Sequence, residues 1–434
     1  MNDALKKPLT GHFRADGRPL SLKEYVARGG YSALGKVLGM VPSEVIQILL
    51  DATLTGRGGA DFPTGRKWSF VPTEPDWPRP TFLVCNADEM EPGAFKDRVL
   101  IEGNPHQLLE GMAIAAYAVG ATVAYIFVRA EYSMPVGHLR RAIAEARGAG
   151  YLGSNILSSG FNLDLRLHVS AGRYICGEAS AMLNALEGER PIPRHKPPHQ
   201  TGSGLWSKPT VVNNVETLCF VPSIVSNGAE WFRGLSSSSE GGTKLYTVSG
   251  RVRRPGAWEL PMGTPIRELI EEHAGGMHHG YKVRAVLPGG ASTGFVLETD
   301  LDTSMDNDSL KKVGSRLGTG TVIILDDRTC PVGMLQNLEQ FYAQESCGWC
   351  TPCWQGLQWV QLLLGAIEEG RGTTADLELL KWHTALIKPG HTFCDLAPGA
   401  MQPLESGLRY FEEDLLRHIN DKRCPYARDA AEST

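Results

Sequence analysis

The chain has 434 residues, of which 42% are hydrophobic and 8% aromatic, and its formal charge is -5. This length predicts about two to four globular domains, and the slightly acidic charge gives no reason to expect nucleic-acid binding. No apolar run reaches the length of a membrane-spanning helix, and the N-terminus lacks the apolar core of a signal peptide. We therefore expect a cytoplasmic protein without direct membrane contact.

The first half of the chain predicts an α/β fold. Residues 1–80 form an N-terminal helical segment that ends in a glycine-rich loop. Residues 81–240 then alternate buried strands with helices of 3.6-residue periodicity. This alternation is typical of a Rossmann-like, doubly wound parallel sheet. The predicted elements are strand 81–85, helix 104–120, strand 121–131, an amphipathic helix in "PVGHLRRAIAEARGAG" and strand 161–169.

The second half predicts two smaller domains. In residues 241–330, two strands flank a turn at Arg254–Gly256, and a helix and two further strands follow, which indicates a small β-grasp-like α+β domain. In residues 331–434 every apolar pattern is helical, which predicts a bundle. Its predicted helices are 332–345, 351–369, 374–388 and 400–420.

Three of the nine cysteines are closely spaced, in "ESCGWCTPCWQG", at the start of the second bundle helix. Two residues between successive thiols let one loop provide three ligands to a 4Fe–4S cluster, and the fourth must then come from elsewhere. Cys394 is the best candidate, because antiparallel helices can return it to the loop. Cys330 is a weaker candidate, and Cys424 has no expected role. The alternative is a zinc site with four cysteine ligands, although such sites usually pair two Cys-x2-Cys motifs.

Polar and glycine-rich segments follow the predicted strands. "GRGGADFPTGRKWSF" (56–70) exposes backbone N–H groups and carries three basic residues, which suits a phosphate. "CNADEMEPGAFKDR" (85–98) and "SAGRYICGEASAMLNALEG" (170–188) follow buried strands, where α/β folds bind ligands. A nucleotide-like ligand is the favoured interpretation, and a network of turns and helix caps is the alternative.

These segments, together with "KPTVVNNVETL" and the cysteine motif with its later "TFC", occur in the same order as motifs of a known family. Nearly the whole chain resembles the FMN-carrying, NADH-oxidising subunit of respiratory complex I, the family of NADH-quinone oxidoreductase F subunits. The resemblance implies one FMN, one 4Fe–4S cluster and NADH as substrate. It also implies that hydride passes from NADH to the flavin and that electrons leave singly through the cluster.

The resemblance also assigns site residues. Glu91 matches an acid near the nicotinamide, and Cys347, Cys350, Cys353 and Cys394 match the cluster ligands. Phe62, Phe70, Ala179, Lys196 and His199 match positions beside the dinucleotide. The positions that match FMN contacts are Gly56, Arg57, Gly58, Lys67, Asn86, Asp88, Glu89, Tyr174, Gly177, Glu178, Asn213, Asn214 and Thr217.

The chain departs from the family pattern at four positions. Asp61 replaces a usual glycine, and Trp354 replaces a common arginine after the third cysteine. Ala179 and His199 replace a glutamate and an aromatic residue where the family holds the adenosine half of NADH. The missing glutamate charge predicts that NADPH is tolerated better than by other members.

The family resemblance implies an assembly. We expect a thioredoxin-like 2Fe–2S subunit and a large multi-cluster iron–sulfur subunit as partners, in the peripheral arm of a complex at the inner face of the bacterial cytoplasmic membrane. Similar diaphorase subunits serve soluble hydrogenases and formate dehydrogenases, but these often carry fused thioredoxin-like or ferredoxin domains, which we do not expect in this protein. A third possibility, suggested by Ala179 and His199, is a non-catalytic electron-conducting subunit.

Overall fold

The structure, a computed structural model, describes residues 6–74 and 77–427. The chain divides into two compact units. The first comprises Met1–Met90, Ala94–Thr247 and Ala257–Thr264, and the second comprises Glu91–Gly93, Val248–Gly256 and Pro265–Thr434. In the described part of the chain, no helix combines the length and apolar character needed to cross a bilayer.

Short helices open the first unit, as the sequence predicted. They are α1 (Leu22–Ala27), α2 (Ser32–Val37), α3 (Pro42–Asp51) and α4 (Thr64–Trp68). Ser21 and Glu24 form a capping box that fixes the start of α1. Proline at the first position of α3 suits a helix start, because that N–H has no helical partner.

A four-stranded parallel sheet follows, with the strand order β3-β2-β1-β4. Pairing places Asn86 opposite Asn214 and Ala87 opposite Val128, so the strands end along one edge. The predicted Rossmann-like sheet is therefore confirmed. The elements are β1 (Thr81–Ala87), α5 (Lys96–Gly103), α6 (Pro105–Val119), β2 (Ala121–Val128), α7 (Ser133–Gly148), β3 (Asp164–Val169), α8 (Ala179–Leu186), β4 (Thr210–Asn214), α9 (Val215–Asn227) and α10 (Ala229–Arg233).

A mixed second sheet has five strands in the order β6-β5-β9-β7-β8, and β7 pairs antiparallel with both β8 and β9. This agrees with the predicted α+β domain, although the sequence did not reveal the two-residue β8 or the helix α12. The elements are β5 (Thr243–Ser249), β6 (Gly256–Pro261), α11 (Ile266–Glu268), β7 (Val283–Leu287), β8 (Val296–Leu297), α12 (Asn307–Lys312) and β9 (Thr321–Asp326).

The C-terminal region is helical, as predicted, with one difference. Instead of a single helix over 400–420 there are two, and the break falls at Phe411, whose φ of -120° and ψ of 24° lie outside the helical range. Its ring is 1% exposed and contacts Phe295, so packing fixes the break. The helices are α13 (Pro331–Glu345), α14 (Thr351–Glu368), α15 (Thr374–Leu386), α16 (Leu396–Tyr410) and α17 (Glu412–Asp421). The predicted boundaries of the four domains stay predictions.

Candidate functional site

The first candidate site lies where β1, β3 and β4 end in the first unit. The side-chain amide of Asn86, in β1, donates to the Gly177 carbonyl at 3.0 Å. The Ser170 hydroxyl, after β3, donates to Asp88 at 2.7 Å. A Cβ placed on Gly58 would lie 3.1 Å from that of Asn214, at the end of β4. Contacts thus join all four segments that the sequence marked as ligand-binding.

Arg57 stabilises the glycine-rich loop, and its side chain is 1% exposed. Its backbone N–H donates to Thr217 Oγ1 at 2.8 Å, and its guanidinium donates to the Gly241 carbonyl at 2.7 Å. The side chain therefore stabilises the loop internally, whereas the sequence had suggested that it faces a phosphate. Lys67 donates to the Val212 carbonyl at 3.1 Å, and burial lowers the pKa of its ammonium group to about 8.

Three buried polar atoms near this loop have no hydrogen-bond partner among the described residues. They are Arg57 Nε, Thr64 Oγ1 and Asn213 Nδ2. The other end of the Asn213 amide is fixed, because its oxygen accepts from Trp68 Nε1 at 2.9 Å. Buried polar groups without partners cost about 1–3 kcal/mol each. Free donors beside glycines at a strand edge fit a polar ligand such as FMN.

A buried charge network holds the asparagine at the end of β4. Asn214 donates to Asp97 at 2.6 Å and accepts from Lys96 at 3.0 Å. Lys96 and Lys244 both lie 3.1 Å from Glu216, which is fully buried. Burial favours the neutral form of Glu216, but the neighbouring ammonium groups outweigh it and lower its pKa.

Two of the carboxylates that were predicted to bind a ligand accept hydrogen bonds from backbone N–H groups at the starts of helices. Glu89 accepts from the N–H groups of Asp97 and Arg98 at the start of α5, and also from Tyr132 at 3.0 Å. Burial and the neighbouring Asp97 raise the pKa of Glu89 to about 7. Glu178 accepts from Ala181 N at 2.8 Å at the start of α8. Tyr174 and Gly177 lie on the short 3-10 turn just before it.

The residues predicted to contact NADH are mostly exposed. The rings of Phe62 and Phe70 lie 6.1 Å apart and are 38% and 50% exposed. Lys196 is exposed and pairs with Glu178 at 3.3 Å, beside Ala179, the first residue of α8. His199 is also exposed. Glu91 lies in the second unit, where it accepts from Ser292 N at 2.8 Å.

The second candidate site is the cysteine loop before α14. Cys353 is buried, and its sulfur lies 3.2 Å from Ser346 Oγ. Burial raises the pKa of this thiol to about 12, and Cys350 and Cys347 are close enough to add to the shift. The loop lies at the N-terminus of an 18-residue helix, which favours an anionic group.

An aromatic contact joins the remote cysteine to this loop. Trp349 directly precedes Cys350, Phe393 directly precedes Cys394, and the two rings lie 6.1 Å apart. Cys394 is half-buried between α15 and α16. This arrangement fits one cluster with three ligands from the loop and a fourth from the later segment.

Sequence reasoning missed another group of potential ligands. Cys330, Glu368, His418 and Cys424 place their ligand atoms within 4.8 Å of one another. No short motif reveals this group, because its members come from three stretches that are far apart in the sequence, around 330, around 368 and at 418–424.

Comparisons with known proteins agree with both candidate sites. The family described as Nuo51 FMN-binding domain matches residues 49–223, the SLBB domain matches 245–296, and the NADH-ubiquinone oxidoreductase-F iron-sulfur binding region matches 333–418. The chain is therefore of the class that binds FMN and a 4Fe–4S cluster, and both predicted cofactors are confirmed.

Similarity to curated relatives extends over almost the whole chain. The F subunit of NADH-quinone oxidoreductase in Escherichia coli (strain K12) is 51% identical, with 94% of this chain and 92% of the relative covered. The F 2 subunit of the same enzyme in Rhizobium meliloti (strain 1021) is 50% identical, over 95% and 97%. A chain of an NAD+-reducing [NiFe]-hydrogenase is 33% identical with a TM-score of 0.80, over 94% and 68%. This chain belongs to the family of NADH-quinone oxidoreductase F subunits, as the motifs predicted.

Proposed function

We propose that the chain is the electron-input subunit of a quinone-reducing complex, with FMN bound by the residues predicted from the motifs. Two observations support this most directly: contacts join the predicted ligand-binding segments at one sheet edge, and buried donors near the glycine-rich loop have no partner among the described residues. The residues at this sheet edge would hold FMN, and a bound flavin would supply the conversion between two-electron and one-electron transfer.

The chain's own residues supply binding and orientation. Gly58 packs closely against Asn214 at the end of β4, and the buried Asn213 N–H group, which has no partner among the described residues, is available to a ligand. Lys67, held by the Val212 carbonyl, adds a cation beside the same strand end. The exposed rings of Phe62 and Phe70 offer apolar faces on which a planar ring of NADH can stack.

The cluster is assigned to Cys347, Cys350, Cys353 and Cys394. We expect Cys394→Ser to lose most of the iron and acid-labile sulfide of the anaerobically purified chain while FMN is retained, because FMN binds elsewhere. The matched control is Cys219→Ser, which removes a buried thiol from the first unit. NADH-dependent dye reduction checks activity. If Cys394→Ser removes stoichiometric zinc instead of iron and sulfide, the cluster assignment is wrong.

The proposed partners are a thioredoxin-like 2Fe–2S subunit and a large multi-cluster iron–sulfur subunit, at the inner face of the bacterial membrane. An exposed apolar face supports docking. On α15, Leu379, Trp382 and Leu386 are 45%, 55% and 40% exposed at helical spacing. Large exposed apolar clusters mark interaction surfaces. Other exposed apolar side chains of this helical region are Trp349, Trp354, Trp359, Leu362 and Phe393.

A further inference from the structure

Four side chains with metal-binding atoms meet near the end of the helical region. Cys330 precedes α13, Glu368 ends α14, His418 lies on α17, and Cys424 follows α17. Cys330 Sγ lies 3.2 Å from Glu368 Oε2 and 3.3 Å from His418 Nε2, and these two atoms are 3.1 Å apart. With Cys424 Sγ, all four ligand atoms lie within 4.8 Å of one another.

These separations are close to the edge lengths of a small tetrahedral metal site. Zinc binds sulfur at about 2.3 Å and nitrogen at about 2.0 Å, which places neighbouring ligands roughly 3.3–3.8 Å apart. The ligand set of two thiols, one imidazole and one carboxylate also suits zinc. Calcium and magnesium prefer oxygen ligands and do not fit it.

The imidazole is oriented for metal binding. His418 is fully buried, and its Nδ1 lies 2.7 Å from the Asp414 carbonyl, to which it donates. A proton on Nδ1 leaves the Nε2 lone pair of the neutral ring directed at Cys330 and Glu368. Metal-binding histidines usually have such a second hydrogen bond. Asp414 is itself held by Arg284 and by Tyr426, which donates to it at 2.5 Å.

Two thiols and the carboxylate of Glu368 meet at this position. A neighbouring carboxylate disfavours thiolate formation, because like charges repel each other. A divalent cation reverses this balance, because it compensates two thiolates and one carboxylate and displaces the thiol protons.

We propose that Cys330, Glu368, His418 and Cys424 bind one zinc ion that is separate from the iron–sulfur cluster. Four protein ligands leave no open coordination position, so the ion is structural. It fastens the segment 422–427 to the helices α13 and α14. The turn after α14 packs directly against this segment. A Cβ on Gly370 would lie 2.1 Å from the Lys422 backbone, so this position has no room for a side chain.

Metal analysis of the full chain tests the proposal. Anaerobically purified chain, washed with a weak chelator, should contain about one zinc per chain in addition to its iron. Cys424→Ser and Glu368→Gln should each lose most of the zinc and keep iron, sulfide and FMN. Cys219→Ser, a buried thiol elsewhere, should keep all of them. Absence of zinc from the natural chain, or zinc retained by both ligand variants, overturns the proposal.

Two further measurements do not depend on variants that fold poorly. Titration of zinc-depleted natural chain with Co²⁺ should produce thiolate-to-cobalt absorption, and equimolar Zn²⁺ should abolish it. Trypsin should cleave after Lys422 and Arg423 several-fold faster once zinc is removed, since both residues are exposed in the fastened segment. No cobalt–thiolate band, or a Cys330–Cys424 disulfide in freshly purified protein, contradicts the zinc site.

Discussion

At the scale of single residues, the sequence identified the binding segments but not the role of each side chain. Arg57 is the clearest example, because a cation in a glycine-rich loop predicted a phosphate ligand. The structure buries its guanidinium against the Gly241 carbonyl. Asn213 is the opposite case, since only three-dimensional packing reveals that its amide N–H group has no partner in the part of the chain that the structure describes. Side-chain direction depends on contacts between distant segments, which residue spacing does not encode.

Asn213→Ala should weaken FMN binding. Loss of one buried donor is expected to cost about 1–3 kcal/mol, or roughly 5- to 150-fold in Kd. Fluorescence titration of FMN into deflavinated chain measures this. Trp68→Phe is the control, because it removes the same internal hydrogen bond to Asn213 Oδ1 and keeps the amide donor. Equal losses of affinity in the two variants would show that Asn213 acts only through packing.

Asp61 shows how a departure from the family pattern is accommodated. The family usually has glycine here, and the structure places Asp61 at φ 52°, in the left-handed region. Aspartate is among the non-glycine residues that tolerate this region. The loop can therefore keep its conformation without the glycine.

Ala179→Glu should shift nucleotide preference towards NADH. Ala179 begins α8 next to the Glu178–Lys196 ion pair, so a carboxylate placed there adds negative charge to this end of the helix. Two like charges a few ångströms apart cost about 1–4 kcal/mol, which predicts a rise of roughly fivefold to several hundredfold in the ratio of kcat/KM for NADH to that for NADPH. Ala179→Gln is the neutral control. If the glutamate leaves the ratio unchanged, Ala179 does not control nucleotide choice.

At the scale of helices and strands, periodicity predicted most of the fold. The strands β1, β2 and β3 and the helices α13, α14 and α15 begin within a few residues of their predicted positions, because each has a clear apolar pattern, whereas β4 was not predicted. The break at Phe411 was missed, since both sides of it keep helical periodicity. The sequence also placed the cysteine motif correctly at the start of α14, but it gave no indication of the buried carboxyl of Glu339 on α13.

Glu339 is fully buried, and neither of its carboxyl oxygens has a hydrogen-bond partner in the described part of the chain. Burial raises its pKa well above 4.5, so the folded chain keeps the proton to a higher pH than the unfolded chain does. The unfolded chain ionises it above about pH 4.5, which favours unfolding as pH rises. Stability contributed by the protonated group is therefore present at low pH and lost progressively at higher pH.

Glu339→Gln should remove this pH dependence. The unfolding free energy of the variant relative to the natural chain should rise between pH 5 and 7 by up to about 1.4 kcal/mol per unit, until the folded-state pKa is reached. Denaturant titrations followed by circular dichroism at several pH values measure it. The same substitution at exposed Glu405 is the control. Parallel pH profiles for Glu339→Gln and the natural chain would show that Glu339 is ionised when folded.

At the scale of the whole molecule, composition and motif order predicted a multidomain redox protein, and the comparisons confirmed its family. The group at Cys330, Glu368, His418 and Cys424 was not predicted, because three distant stretches of the chain must fold together before its members meet. The exposed face on α15 was equally hidden, since an apolar helical stripe in a sequence usually indicates core. Only the structure shows that Leu379, Trp382 and Leu386 are left uncovered within this chain.

Trp382→Glu should weaken assembly with the proposed iron–sulfur partners. A charge in the middle of an apolar docking face becomes a buried ion without a counter-ion when a partner binds. Loss of a central aromatic side chain commonly costs about 2 kcal/mol or more of binding free energy, which is about 30-fold in Kd. Co-purification of the complex from its native host, with quinone reduction as a second readout, measures this. NADH-dependent dye reduction should persist, because Trp382 is exposed and lies outside both candidate cofactor sites. Met134→Glu places the same charge on an exposed apolar residue of α7 in the first unit and should leave the complex intact. Recovery of the Trp382→Glu complex at natural yield and quinone activity would show that this face of α15 does not dock a partner.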